Sequence, residues 1–265
     1  MGSNGASIIV EELTASYGEV RVLDRVSMSI EPGQTSVILG PSGCGKSTLL
    51  RHMVGLNRPR SGRILIKGQD ITRLPEAKLN ELRKKMGVLF QGGALFNSLT
   101  VGDNVALPLR EHTKLDETTI NIMVRLKLDL VGLSHTVEMF PNQLSGGMKK
   151  RAALARAMAM DPEFLFLDEP SAGLDPIVAA GIDHLILKLK KAFTMTIVVV
   201  THELTSTYLI ADRITMLDQG RILAEGTPEE LKASTDERVR QFLDRRPEDE
   251  SRDAQRYLES LVEGS

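Results

Sequence analysis

TSVILGPSGCGKST, Thr35–Thr48, is the stretch on which the fold turns. TSVILG over Thr35–Gly40 is a short apolar run of strand length, and the residues from Lys46 to Leu56 have helix-forming composition. Strand, glycine loop and helix form the context in which the pattern G-x-x-x-x-G-K-[ST] holds phosphate. The loop and its exit are Gly40, Pro41, Ser42, Gly43, Cys44, Gly45, Lys46, Ser47 and Thr48. Its glycines let backbone N–H groups converge on phosphate oxygens, and the helix dipole adds positive potential there. Lys46 is expected to reach the β- and γ-phosphates of a nucleotide, and the Ser47 hydroxyl to ligate Mg²⁺.

Further along, FLFLDEP reads as a buried strand over Phe164–Asp168 that delivers Asp168 and Glu169 at its end. Ligands of open α/β sheets sit at strand carboxyl ends. Asp168 is therefore expected to hold Mg²⁺ through water, and Glu169 to orient or deprotonate an attacking water. His202 follows the strand Thr196–Val200 and is expected in the same crevice, bonded to the γ-phosphate or to that water. Gln91, after the strand Met86–Phe90, is placed to reach Mg²⁺ or water. The other histidines, at 52, 112, 135 and 184, form no ligand-like cluster and read as structural or exposed.

The rest of the chain supplies a frame. Ile8–Ser16, Val26–Ile30 and Arg63–Lys67 read as strands, and Thr215–Leu217 with Arg221–Ala224 as a hairpin about Asp218-Gln219-Gly220. From Gly92 to Met160 helical periodicity takes over, as in Ile120, Met123, Val124, Leu128 and Val131, with Lys127 a polar exception. Ile182, Leu185, Ile186, Leu189 and Phe193 mark one face of another helix. Strands alternating with helices imply a largely parallel sheet.

Of the 265 residues 42% are apolar, enough for a sizeable core without staples. A net charge of −2 gives sequence-independent nucleic-acid binding no support, and no nucleic-acid partner is expected. Cys44 is the single cysteine, which fits a reducing compartment. No apolar run approaches the roughly 20 residues of a membrane span, and no leader is expected ahead of Ile8.

A second glycine turn, LSGGMKKR over Leu144–Arg151, precedes another helical run. Together these motifs resemble the nucleotide-binding subunits of ATP-binding cassette (ABC) transporters over about Ile8 to Leu231, and LSGGM is the most specific mark. The resemblance implies an α/β P-loop ATPase: a RecA-like mixed-sheet core (1–91 and 161–235), an antiparallel β subdomain, an inserted helical subdomain (92–160) and a charged helical C-terminal extension (236–265). It implies a head-to-tail homodimer in which Ser145, Gly146 and Gly147 cap the ATP held by the other copy. Asp175, in SAGLD at Ser171–Asp175, crosses the same interface. Tyr17 occupies the position that stacks on adenine. An ABC ATPase serving another solute would share these generic motifs.

One stretch is more particular. FQGGALFNSLTVGDNVALPLRE, Phe90–Glu111, resembles the ATPases of Mla- and Mce-type phospholipid transporters at the segment facing the permease. This likeness implies integral membrane permease subunits docked near Gln91–Leu99 and an Mce-domain lipid-binding protein reached through them. It also implies a peripheral position on the cytoplasmic face of a bacterial inner membrane, with a STAS-domain protein as a further partner. The tail from Asp236 carries two short apolar faces, Val239/Phe242/Leu243 and Tyr257/Leu258/Leu261/Val262. It reads either as solvated or as a pair of helices docked on a neighbour.

Overall fold

A computed structural model of the chain describes residues 7–246. β1 (Ile8–Tyr17) and β2 (Val20–Ile30) form a long antiparallel pair. β3 (Thr35–Leu39) leads through the glycine loop into α1 (Lys46–Met53). β4 (Ser61–Ile66) and β5 (Gln69–Asp70) join β1 in a four-stranded sheet of order β2-β1-β4-β5. α2 (Glu76–Arg83) and β6 (Met86–Leu89) follow.

Between residues 92 and 160 come α3 (Val101–His112), α4 (Glu117–Leu130) and α5 (Gly146–Ala157). The chain then runs through β7 (Phe164–Asp168), α6 (Pro176–Ala192), β8 (Thr196–Thr201), α7 (Leu204–Ile210), β9 (Arg213–Asp218) and β10 (Arg221–Gly226). It closes with α8 (Pro228–Lys232) and α9 (Glu237–Leu243).

The second sheet has the order β10-β9-β3-β8-β7-β6. It is parallel from β9 to β6, and β10 is its antiparallel edge. Its central strands are apolar at nearly every position because both faces are covered. Successive residues point to opposite faces. Accordingly Val37, Leu165, Leu167, Ile197 and Val199 pack with α3–α6, whereas Ile38, Phe164, Phe166, Val198 and Val200 pack with α1 and the antiparallel sheet.

Lys127, the polar exception on the α4 face, is 6% exposed. Its ammonium pairs with Asp161, which is why a charge is tolerated there. The β9–β10 hairpin closes on Gln219-Gly220, both left-handed, as a two-residue turn requires. α2, α7 and α8 go beyond the sequence reading.

The apolar face of the first part of the tail packs on its own chain. Val239 is fully buried against Leu39, Leu204, Ile214, Met216 and Leu231 of its own chain, with Phe242 and Leu243 packed beside it. The face Tyr257/Leu258/Leu261/Val262 lies outside the described residues.

Candidate active site at the carboxyl edge of the parallel sheet

Four adjacent parallel strands end side by side, with Leu39 opposite Thr201, Val200 opposite Asp168 and Leu167 opposite Leu89. Just past these ends stand the glycine loop, His202, the pair Asp168–Glu169, and Gln91. The topology therefore gathers onto one edge residues that the sequence spreads from 40 to 202.

The phosphate loop is shaped by close packing. Gly45 takes φ +109° at the start of α1, and a Cβ there would lie 2.7 Å from Leu23 Cδ2 and 3.0 Å from the Val22 carbonyl. Only glycine fits both demands. The Lys46 ammonium is buried and donates to the carbonyls of Gly40 and Pro41, both at 2.9 Å. It spans the mouth of its own loop. Burial pushes the Cys44 thiol up, so this cysteine is held as a neutral packing group.

Ser47 Oγ donates to Asp168 Oδ1 at 2.8 Å, so the two expected Mg²⁺ residues meet. A hydroxyl beside a carboxylate is a hard-oxygen pair suited to that ion. Among the described residues no three His, Cys, Asp or Glu side chains could hold a metal by themselves. Burial raises the Asp168 carboxyl, against the Ser47 hydrogen bond and the field of Arg51 and Lys150.

Glu169 is buried and left-handed, at φ +49°. Its N–H donates to the Val200 carbonyl at 2.9 Å. Its carboxylate accepts from Thr201 Oγ1 at 3.1 Å and bonds His202 Nδ1 at 2.9 Å. With Glu169 ionised, the proton of that last bond sits on Nδ1. His202 Nε2 lies 3.5 Å from Glu203 Oε1, and its side chain is 42% exposed. A hollow of about 360 Å³ brings Pro41, Ser42 and His202 together with Phe242, Arg245 and Arg246. A cleft of about 790 Å³ is lined in part by Val22, Leu23 and Asp218, and Val22 and Leu23 also pack on Gly45 of the phosphate loop.

Gln91 is exposed, and α5 holds the main chain after it. Lys150 donates to the Gln91 carbonyl. Arg156 donates to the carbonyls of Gly93 at 3.1 Å and Ala94 at 2.7 Å. From α3, fully buried Asn104 accepts from the Phe96 N–H at 2.7 Å and donates to the carbonyls of Phe96, Leu99 and Thr100 at 3.0, 3.3 and 2.8 Å. Sequence reasoning missed Lys150, Arg156 and Asn104. Their partners are main-chain groups, which leave no mark in the residue types.

The second glycine turn opens α5. Ser145 is its N-cap, accepting from the Met148 N–H at 3.3 Å, and Ser145 and Gly146 are exposed. Gly147 packs on α6, where a Cβ would lie 2.3 Å from Val178 Cγ1. Asp175 caps α6 through the Val178 N–H at 3.1 Å. Tyr17 is 51% exposed, and its hydroxyl accepts from Asn57 at 3.2 Å.

A phosphate loop, an acidic strand end with a following histidine, and an SGG helix start on a mixed sheet define a P-loop ATPase of the ATP-binding cassette class. The chain belongs to the ABC transporter family, whose model matches residues 23–172. It is 45% identical to the intermembrane phospholipid transport system ATP-binding protein MlaF of Haemophilus influenzae, over 89% of each chain. It is also 45% identical to a probable ribonucleotide transport ATP-binding protein, mkl, of Mycobacterium leprae, over 91% of this chain and 70% of that one. Among solved structures it resembles the dimeric ATP-binding cassette MJ0796 in a post-hydrolysis state bound to ADP and Pi. That match has a TM-score of 0.78 and 32% identity, over 83% of this chain and 98% of the other. As an ABC ATPase, this chain couples ATP hydrolysis to transport.

Proposed function

We propose that this chain is the ATPase of a phospholipid transporter and works as a head-to-tail homodimer. The observation that carries the lipid reading is the segment from Gln91 to Thr100. Its wording resembles that of Mla- and Mce-type ATPases, and Lys150, Arg156 and Asn104 hold its main chain while Phe96 stays 52% exposed. Beside it runs a groove of about 680 Å³ lined by Met86, Val88, Pro108, His112, Ala157 and Met160, of a size to take a permease segment. No helix of the described residues is long and apolar enough to cross a membrane. In this reading permease subunits hold the chain at the cytoplasmic face of the inner membrane. An Mce-domain lipid carrier is reached through the permease. Ile122, Leu126 and Leu130 form an exposed apolar row along α4, available to a STAS-type regulator.

In each site the glycine loop and Lys46 bind the phosphates, and Tyr17 stacks on adenine. Ser47, Asp168 and Gln91 would hold Mg²⁺, which neutralises charge on the phosphoryl group in transfer. Entry of the γ-phosphate draws the Lys46 ammonium off its own carbonyls. Glu169 accepts a proton from the attacking water, and His202 orients that water or the phosphate. The other copy caps the same phosphate with Ser145, Gly146 and Gly147, and contributes Asp175. ATP therefore supplies contacts available only in the closed dimer, and its hydrolysis removes them. Glu169→Gln should trap the closed dimer with ATP uncleaved, and wild-type turnover by this variant would refute the assignment.

The mkl relative favours a second reading, a ribonucleotide as the transported solute. Affinity purification from detergent-solubilised membranes, with mass spectrometry of protein and lipid, separates the two. An Mce-domain protein and co-purified phospholipid are expected. A permease with a soluble-solute receptor, and ATPase activity stimulated by ribonucleotide, would overturn the lipid assignment.

A further inference from the structure

Lys150 stands in the second turn of α5 and is 7% exposed. Among the described residues it forms no ion pair. Its ammonium donates instead to two main-chain carbonyls, those of Gln91 and of Glu169, the latter at 3.0 Å. Burial opposes the charge of Lys150, and the nearby carboxylates of Asp168 and Glu169 favour it, but its hydrogen bonds go to carbonyls; a methionine could fill the same space without the desolvation cost. The two acceptors have little in common as packing partners. One belongs to the residue read as the general base, the other to the glutamine that opens the permease-facing segment.

Glu169 explains what this contact does. A left-handed backbone is strained for a residue with a Cβ, and it persists only where the surroundings over-determine it. Here the peptide groups on either side of Glu169 are both tied, the N–H to Val200 and the C=O to Lys150. We infer that Lys150 is a positioning residue for hydrolysis: it fixes the Glu169 peptide so that the carboxylate meets Thr201 and His202, and it locks that peptide to Gln91. The same helix begins at the Ser145–Gly147 turn, about 6 Å from Lys150 along its axis. Engagement of that turn with the second copy's ATP therefore reaches this copy's own base through one rigid turn of helix. The inference rests on the reading of Glu169 as the base. Lys150 itself touches no substrate.

The test uses the full chain, with Lys150→Met, Lys150→Gln and Lys150→Arg, alone and combined with Glu169→Gln, in single-turnover hydrolysis and ATP-binding assays. Lys150→Met is expected to lower kcat by roughly tenfold to a hundredfold, the loss seen when an outer partner of a catalytic group is removed. ATP affinity should stay within about twofold, since the phosphate loop is untouched. Arginine, which keeps charge and donors, should recover part of the rate, and glutamine, with its two donors, serves if the methionine variant folds poorly. In the Glu169→Gln background the Lys150→Met loss should vanish, because Lys150 acts through that carboxylate. Wild-type kcat in Lys150→Met, or an undiminished loss in the double variant, would overturn the inference while leaving Glu169 as the base. Wild-type turnover by Glu169→Gln alone would instead remove the reading beneath it.

Discussion

Gly147→Ala puts the packing at the second glycine turn to a quantitative test. The added Cβ would lie 2.3 Å from Val178 Cγ1 and 3.7 Å from Val178 Cβ. Val178 is β-branched and holds essentially one rotamer in a helix, so it cannot swing clear, and the starts of α5 and α6 must separate. Overpacking of this kind costs about 1–3 kcal/mol, offset by about 1 kcal/mol from replacing glycine within a helix. The net loss of up to about 2 kcal/mol should lower Tm by at most roughly 4–8 °C for a chain of this size. Activity should fall further. Asp175 rides on the displaced α6, and a shift of about 1 Å can cost a hundredfold in rate. Gly146→Ala is the control, because its Cβ meets only the flexible end of Leu174 at 3.3 Å, and its stability should change little. Thermal unfolding and ATPase assays of Gly147→Ala with and without Val178→Ala read the outcome. The second substitution removes the clashing methyl and should restore stability. If ATPase stays low after stability returns, the new Cβ also obstructs the other copy's nucleotide. Wild-type Tm and activity in Gly147→Ala alone would refute the packing argument.

Asn104→Ala should cost roughly 2–4 kcal/mol, because it strands the buried main-chain groups around Phe96; it should also weaken permease recovery, and denaturant unfolding within ~0.5 kcal/mol of wild type would contradict this. Asp183 is buried, accepts from Ser206 Oγ at 2.7 Å through one oxygen and leaves the other unpaired. Burial raises its carboxyl, with Glu203 adding to the shift and Ser206 and His184 opposing it. Between the ordinary value and the raised one the native state holds a proton that the unfolded chain has lost, so stability falls as pH rises through that window. Asp183→Asn should abolish this slope and be the more stable form near neutrality. Parallel melting curves of the two proteins from about pH 4 upward would count against it.

Sequence patterns made legible the elements that obey local rules. TSVIL and FLFLD read as buried strands because both faces of each are covered, and Gln219-Gly220 reads as a turn because the two-residue hairpin needs left-handed residues. α7 escaped because LTSTYLI is rich in residues of low helix propensity, and its helix is held by packing on α6 and β3. The apolar face of Val239 is legible, but not what it packs on, because Leu39, Ile214 and Met216 lie on β3 and β9, far along the chain. At the site, Asp168, Glu169 and His202 could be placed from strand ends. The φ of Glu169 could not, since it breaks a local rule, and such breaks gather where structure is committed to function.

The SGG turn shows why a motif cannot be read as a single device. Gly147 is demanded from inside, by Val178, whatever its main chain offers a ligand. Gly146 is exposed, with only a tolerable neighbour, so its main chain remains open to an approaching anion. Ser145 serves both sides. As N-cap its oxygen accepts from the Met148 N–H, yet a hydroxyl that accepts still has its own proton to donate. The cap thus fixes the oxygen at the helix start while leaving its donor free for a phosphate, where the unpaired N–H groups and the helix dipole already favour negative charge. A turn built this way is finished on the side that faces its own chain and open on the other. That is the arrangement a phosphate brought by a second copy requires.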